Sequence, residues 1–232
     1  MTTSAMGSSS STLRARHAAH PLAAVLREVE PASCPSRFNF HCHTHCSDGS
    51  LAPLELAGQA LRLGLEHLAV TDHHSLRAYR PMADHFDRRR QQGLAAPTLW
   101  RGVEISCLLE GCLVHVLALG FAADHDSLQP YLQGVAVVEA ALRAEVVVQA
   151  IHEARGLAVL AHPARYRLPF QRLITAAAAM GFDGAEARYD YQLQAIWRPT
   201  PHVCEAVAAA GRSRGLLLSC GTDTHGLSLG GR

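Results

Sequence analysis

The chain has 232 residues, 48% of them hydrophobic and 18% charged, with a formal net charge of +1. Such a length and apolar fraction suit one globular domain with a substantial core, and the near-neutral charge argues against long duplex nucleic acid as a partner. No stretch reaches the roughly 20 apolar residues of a membrane span. All 21 basic residues are arginine. Without lysine the chain has no Schiff-base amine, no phosphate-loop lysine and no carboxylated lysine to bridge two metals. Seven cysteines, with no Cys-x-x-Cys pair, do not make a disulfide framework in a chain this long and point to a reducing cytoplasm.

Residues 1–36 read as an N-terminal tail, rich in Ser and Ala, partly disordered, with a short helix expected over 21–29. A strand is expected over 37–43. A helix follows, with Ser50 as N-cap, Pro53 in its first turn and a stop at Gly64. A second strand over 66–71 leads into a helical stretch over 75–92, in which Arg88, Arg89 and Arg90 form an exposed face. Two strands, 99–107 and 112–121, flank a tight turn at Glu110 and Gly111. A long helical region is expected over 127–155, with a break near Gly134. The run 157–161 is continuously apolar, as a strand buried on both faces would be. A helix over 170–180, a strand over 183–187, a loop over 188–201, a helix over 203–211 and a strand over 215–220 complete the chain. Strand and helix alternate, which implies a mostly parallel sheet. A closed barrel is expected, with an open doubly wound sheet as the alternative.

The polar residues cluster where the strands end. His41 and His43 share one strand face, and Asp48 follows in a turn. Cys42, between them, should point the other way. The run Leu68-Ala69-Val70-Thr71 delivers Asp72, His73 and His74 to a strand end, and burying such a group without a partner costs several kcal/mol. Glu104 stands inside an apolar strand, and His115 stands between two valines. His162 ends the strand that begins at Leu157. Asp223 and His225 end the last strand, again two apart. In a β/α barrel these ends converge on one mouth.

In this order, the segments 39–49, 64–75, 102–106, His115, 161–163 and 221–226 resemble the successive motifs of the PHP (polymerase and histidinol phosphatase) family. The resemblance spans Phe38 to the C-terminus, so residues 37–232 are expected to form the PHP domain. It implies a distorted (β/α)7 barrel with two or three divalent ions, manganese, zinc or iron, at the C-terminal mouth of the strands. The chain is most similar to the small stand-alone bacterial members related to nucleoside 3′,5′-bisphosphate phosphatases and 5′-3′ exoribonucleases. Carried onto this chain, the family's roles give a first metal to His41, His43, Glu104 and Asp223. A second is shared by Glu104 with His115 and His162, and a third is held by Asp48, His73 and His225. Glu104, Asp223 and His225 are the expected catalytic residues. Where the family has Asp, this chain has Asn39; its carbonyl is expected to support a ligand histidine from behind, and Asp72 is expected in a similar supporting place.

The implied reaction is hydrolysis of phosphate monoesters, or of short nucleotide phosphodiesters, by a metal-activated hydroxide. The expected substrate is a nucleoside bisphosphate or a short RNA 5′ end, with a histidinol-phosphate-type phosphatase as the alternative. A metal-dependent amidohydrolase and a non-catalytic polymerase-accessory module are the readings from other classes. Arg165, with Arg167 behind it in rank, is the candidate phosphate ligand, His74 a candidate substrate contact, and Tyr189, Tyr191 and Trp197 a candidate stacking wall for a base.

Overall fold

The computed structural model describes residue 15 and residues 17–231. The disorder expected of the N-terminal tail falls mostly on residues 1–14, outside the described residues. From His17 onward the segment packs on the domain. A short helix, α1 (Pro21–Leu26), buries Leu22, Ala23 and Leu26.

Seven strands follow in the order of the chain, β1-β2-β3-β4-β5-β6-β7. They are β1 (Phe38–Asn39), β2 (His67–Val70), β3 (Thr98–Leu109), β4 (Cys112–Leu119), β5 (Leu157–Leu160), β6 (Gly184–Arg188) and β7 (Leu217–Cys220). The helices between them are α2 (Pro53–Leu63), α3 (Tyr79–Gln91), α4 (Ala144–Glu153), α5 (Phe170–Met180) and α6 (Pro201–Arg212). All neighbours are parallel except β4, which runs antiparallel to both β3 and β5. That reversal follows from the Glu110-Gly111 turn, where both residues have positive φ (53° and 69°), the geometry of a tight hairpin.

The sheet closes on itself just beyond β1 and β7. Phe40 N–H donates to the Cys220 carbonyl at 2.9 Å, Asp223 N–H to that of His41 at 2.7 Å, and His43 N–H to that of Thr224 at 3.1 Å. Closure needs glycine at 221: a Cβ there would meet the His41 backbone nitrogen at 2.6 Å. The fold is the expected distorted seven-stranded barrel, and the open sheet is ruled out.

The period of two in the strands sorts their side chains. Val103, Ile105, Cys107, Val114, Val116, Ala118, Ala158 and Leu160 join the cluster formed with α4, α5 and α6. Leu117, Leu119, Leu157 and Val159, on the opposite face, join Phe38, Phe40 and the apolar residues of α1. The His20 imidazole lies 3.2 Å from the Gly120 carbonyl, so α1 covers the end of the barrel away from the strand C-termini. Cys42 packs with Leu56 and Ala57 under α2 and α3, away from the two histidines beside it.

Three local expectations change. Ser50 does not cap α2; its N–H is drawn to the His225 carbonyl at 2.8 Å, and the helix starts at Pro53 with Glu55 accepting from the Ala52 N–H at 3.2 Å. Helix α3 starts at Tyr79 rather than near residue 75. The region 127–155 is α-helical only in α4; before it come the 3₁₀ segments Asp126–Tyr131 and Glu139–Leu142. Pro130 removes a donor, Gly134 takes φ 80°, and Arg143 bridges to Leu108 in extended form.

Candidate metal centre

Glu104 stands at the centre of the barrel mouth. Its flanking residues Val103 and Ile105 face the helices, so alternation turns the carboxylate inward, where it is 1% exposed. Its Oε2 lies 3.1 Å from His41 Nε2, 3.1 Å from His43 Nε2 and 3.5 Å from His73 Nε2. Its Oε1 lies 2.7 Å from His115 Nδ1 and 3.3 Å from His162 Nε2. One buried acid thus meets five imidazoles carried by or following four strands, β1, β2, β4 and β5. Because β4 is antiparallel, His115 near its start reaches the same end as residues that follow the other strands.

Asp223 completes this group: its Oδ1 is 3.3 Å from His41 Nε2 and 3.2 Å from His43 Nε2. Its Oδ2 accepts from the Tyr189 hydroxyl at 2.6 Å and from Arg165 Nη1 at 3.0 Å. Asp48 lies further out, 3.2 Å from His225 Nε2 and 3.6 Å from both His73 Nε2 and His43 Nδ1. The His225 ring is steered outward because its Nδ1 donates to the Asp223 carbonyl at 2.9 Å.

Three sets of ligand atoms each lie within 4.8 Å of one another: His41, His43, Glu104 and Asp223; His73, Glu104 and His115; and His43, Asp48, His73 and His225. The first set is the one expected from sequence. In the second, His73 stands where His162 was expected, while His162 still approaches Glu104. The third gains His43. All nine expected ligands therefore converge on one mouth.

The donor set fits divalent cations. Imidazole and carboxylate without thiolate suits manganese, zinc or iron. Both ring nitrogens of His43 are buried without a well-directed hydrogen bond, an arrangement costly in protein alone. The electrostatics agree. Burial pushes the Glu104 and Asp223 carboxyls up, but the surrounding histidines win and hold both well below the usual carboxylate range. Burial opposes a charge on His43, yet Asp223 and Glu104 push it up to about 9. His73, where burial dominates over Glu104, is pushed down to about 4. Protonated and neutral imidazoles thus crowd around the same anions, which is the balance a cation replaces.

Several supporting roles differ from expectation. The Asn39 carbonyl oxygen accepts from backbone N–H groups, those of His41 at 3.3 Å and Thr222 at 3.2 Å, and its amide donates to Thr222 Oγ1 at 2.9 Å. It joins β1 to β7 and does not hold a ligand ring. That place is taken by Glu186, whose oxygens lie 3.1 and 3.2 Å from His41 Nδ1. Asp72 accepts from Thr44 N–H and Ser47 Oγ, both at 2.7 Å, and from Thr44 Oγ1 at 2.6 Å, so it shapes the loop that carries Asp48. His74 is corrected as a substrate contact. It is 3% exposed, its Nδ1 lies 3.2 Å from the Tyr131 carbonyl, and its Nε2 accepts from Ser106 N–H at 3.3 Å. Two of the three members of the stacking wall are also corrected. Trp197 is buried among apolar residues with Phe38 and Leu217, and Tyr189 is buried against Asp223. Arg167 donates to the Gly111 carbonyl at 2.9 Å, whereas Arg165 keeps its guanidinium at the rim. Glu186 was detectable in sequence: it stands between two alanines in a strand, as Glu104 stands between Val and Ile.

No family model matches the chain. A 5′-3′ exoribonuclease of Haemophilus influenzae is 26% identical over 187 residues, 75% of this chain and 66% of that protein. The 5′-3′ exoribonuclease Rnm of Escherichia coli is 34% identical over 95 residues, 41% of this chain and 31% of that protein. The chain therefore spans less than two thirds of the length of these curated relatives. Among solved structures, an amidohydrolase from Chromobacterium violaceum with bound sulfate superposes with a TM-score of 0.67 at 21% identity, over 82% of this chain and 88% of that one. A protein of Bifidobacterium adolescentis assigned as a metal-dependent phosphoesterase gives 0.65 at 20%, over 85% and 90%. A two-domain protein of Bacteroides vulgatus with a predicted PHP-like metal-dependent phosphoesterase gives 0.56 at 15%, over 82% and 52%. At these identities the structural likeness establishes the fold: a barrel shared with PHP-like proteins, here carrying a His/Glu/Asp cluster at its mouth.

Proposed function

We propose that the protein is a metal-dependent phosphoric ester hydrolase of the PHP type. It acts on a nucleoside bisphosphate or the 5′ end of a short single-stranded RNA. The observation that carries this reading is the Glu104 carboxylate, buried and approached by five histidines, with Arg165 at its rim. The names of the curated relatives favour an RNA end over an unrelated phosphate ester. Seven unpaired cysteines suit a reducing compartment, and among the described residues no helix is long and apolar enough to cross a membrane.

Two or three divalent ions, bound by the nine residues, would supply Lewis acidity and bring the pKa of water toward about 7. The protein's own groups prepare the site. Glu104 presents one oxygen to His41, His43 and His73 and the other to His115 and His162, so it serves two neighbouring positions at once. Tyr189 and Arg165 occupy Asp223 Oδ2 and thereby turn Oδ1 toward His41 and His43. Arg165 can offer the remaining edge of its fork to phosphate oxygens. Asp48 and His225 are the most exposed members, with His115 and His73 partly exposed beside them, and these face the entering substrate.

The test is hydrolysis of 5′-phosphorylated oligoribonucleotides and of nucleoside 3′,5′-bisphosphates after loading with Mn²⁺ or Zn²⁺. Release of mononucleotide or phosphate that stops with chelator is expected. No turnover of either substrate by metal-loaded protein would overturn the reading.

A further inference from the structure

Behind the ligand histidines lies a buried acid that the nine-residue set does not include. Glu186 sits in β6 with its neighbours Ala185 and Ala187 turned to the helices, so its carboxylate points into the barrel, fully buried. Its oxygens lie 3.1 and 3.2 Å from His41 Nδ1. Oε2 also accepts the His162 backbone N–H at 2.8 Å. His162 needs that anchor, because its φ of 27° is a conformation that side-chain-bearing residues rarely adopt.

We propose that Glu186 is the positioning residue of the metal centre, holding His41 with its proton on Nδ1 and fixing the backbone of His162. The inference rests on the metal-centre reading above. With Nδ1–H directed at Glu186, the lone pair of His41 Nε2 is directed at the point it shares with His43, Glu104 and Asp223. A carboxylate behind a ligand imidazole fixes its tautomer and raises its basicity as a ligand. The same side chain ties β6 to the residues that follow β1 and β5, so one group sets two ligands from different strands. It also supplies the support that Asn39 does not give, since the Asn39 oxygen is spent on backbone N–H groups.

The variant that isolates this role is Glu186→Gln. It keeps the shape and one acceptor oxygen for His162 N–H, but sets an amide NH₂ against His41 Nδ1–H. Competition between the protein and a fluorescent chelator for Zn²⁺ reads the affinity of each site. The expected result is a loss of affinity of about 10–100-fold at one site, with the other sites little changed. In zinc-loaded wild type, the His41 Nδ1–H should give a downfield, exchange-protected proton resonance that Glu186→Gln lacks. Glu186→Asp, which keeps the charge, should recover part of both. If wild type binds Zn²⁺ and Glu186→Gln binds it equally well, Glu186 is not a positioning residue, although the metal-centre reading survives. If wild type binds no Zn²⁺, that reading fails and this inference falls with it.

Discussion

Replacing Asp183 with Asn should destabilise the barrel at the end opposite the metal centre. Asp183 is fully buried just before β6. Its backbone N–H donates to the Ala158 carbonyl at 2.8 Å, and its carbonyl accepts from Leu217 N–H at 2.9 Å. The carboxylate adds a second layer: Oδ2 accepts from Ala158 N–H at 2.9 Å and lies 2.8 Å from His152 Nε2, while Oδ1 lies 3.4 Å from His17 Nε2. One side chain thus joins β5, β6, α4 and the N-terminal segment. Asparagine keeps an oxygen for Ala158 and His152 but loses the charge and turns an NH₂ to His17. A charge-assisted bond is worth about 1.5–3 kcal/mol, and disturbing a buried charge network costs up to about 3–5. We therefore expect a loss of about 2–4 kcal/mol, or a fall in melting temperature of about 4–16 °C at 2–4 °C per kcal/mol. Urea unfolding of wild type and Asp183→Asn across pH measures it.

The pH dependence has a definite sign. Burial pushes the Asp183 carboxyl up, but the bonds from His152, His17 and Ala158 outweigh it and hold the group below its usual range. A depressed folded value means stability that is fully present above the unfolded pKa of about 3.9 and is lost as pH falls toward the folded one. The difference between wild type and variant should be level above about pH 5. Below about pH 4 it should shrink by up to about 1.4 kcal/mol per pH unit. A difference under about 0.5 kcal/mol at neutral pH, or one unchanged down to about pH 3, would refute the reasoning.

Arg165→Ala should raise KM for a 5′-phosphorylated substrate by about tenfold or more, the worth of a charge-assisted bond to phosphate. Arg165→Lys should restore only part of this, because a point charge replaces the fork; equal KM values for all three proteins would remove Arg165 from the phosphate site. Trp197→Ala should cost about 3–5 kcal/mol of stability by opening a cavity, yet leave KM unchanged below the melting transition. A selective rise in KM with no loss of stability would return Trp197 to the substrate wall.

Most of the candidate metal ligands are legible because they break a local rule: an acid or imidazole inside or just past an apolar strand. His41, Glu104 and Asp223 needed no pairing information beyond the period of two. The grouping was harder. His73 rather than His162 joins Glu104 and His115, since a histidine's reach depends on the loop after its strand, and the left-handed turn at His162 cannot be read from Ala161-His162-Pro163. The residues behind the ligand rings are harder to read for a similar reason. Asn39 stands where the resembled family has Asp, which implies support of a ligand ring, but its oxygen accepts from the backbone N–H groups of His41 and Thr222 instead. Glu186 carries the same local signal as Glu104, an acid between two apolar residues of a strand, but its role depends on which rings the fold brings beside it. Region 127–155 misled because its apolar spacing suits a helix, whereas Pro130, Gly134 and the extended pairing of Arg143 with Leu108 prevent one.

The most direct measurement is the metal content of purified protein, reloaded with Mn²⁺ or Zn²⁺ and counted by elemental mass spectrometry, for wild type and Glu104→Gln. Because Glu104 belongs to two of the three ligand groups, two or three ions per chain are expected in wild type and at most one in the variant. Wild type that retains no ion, or a variant that retains them all, would contradict the account.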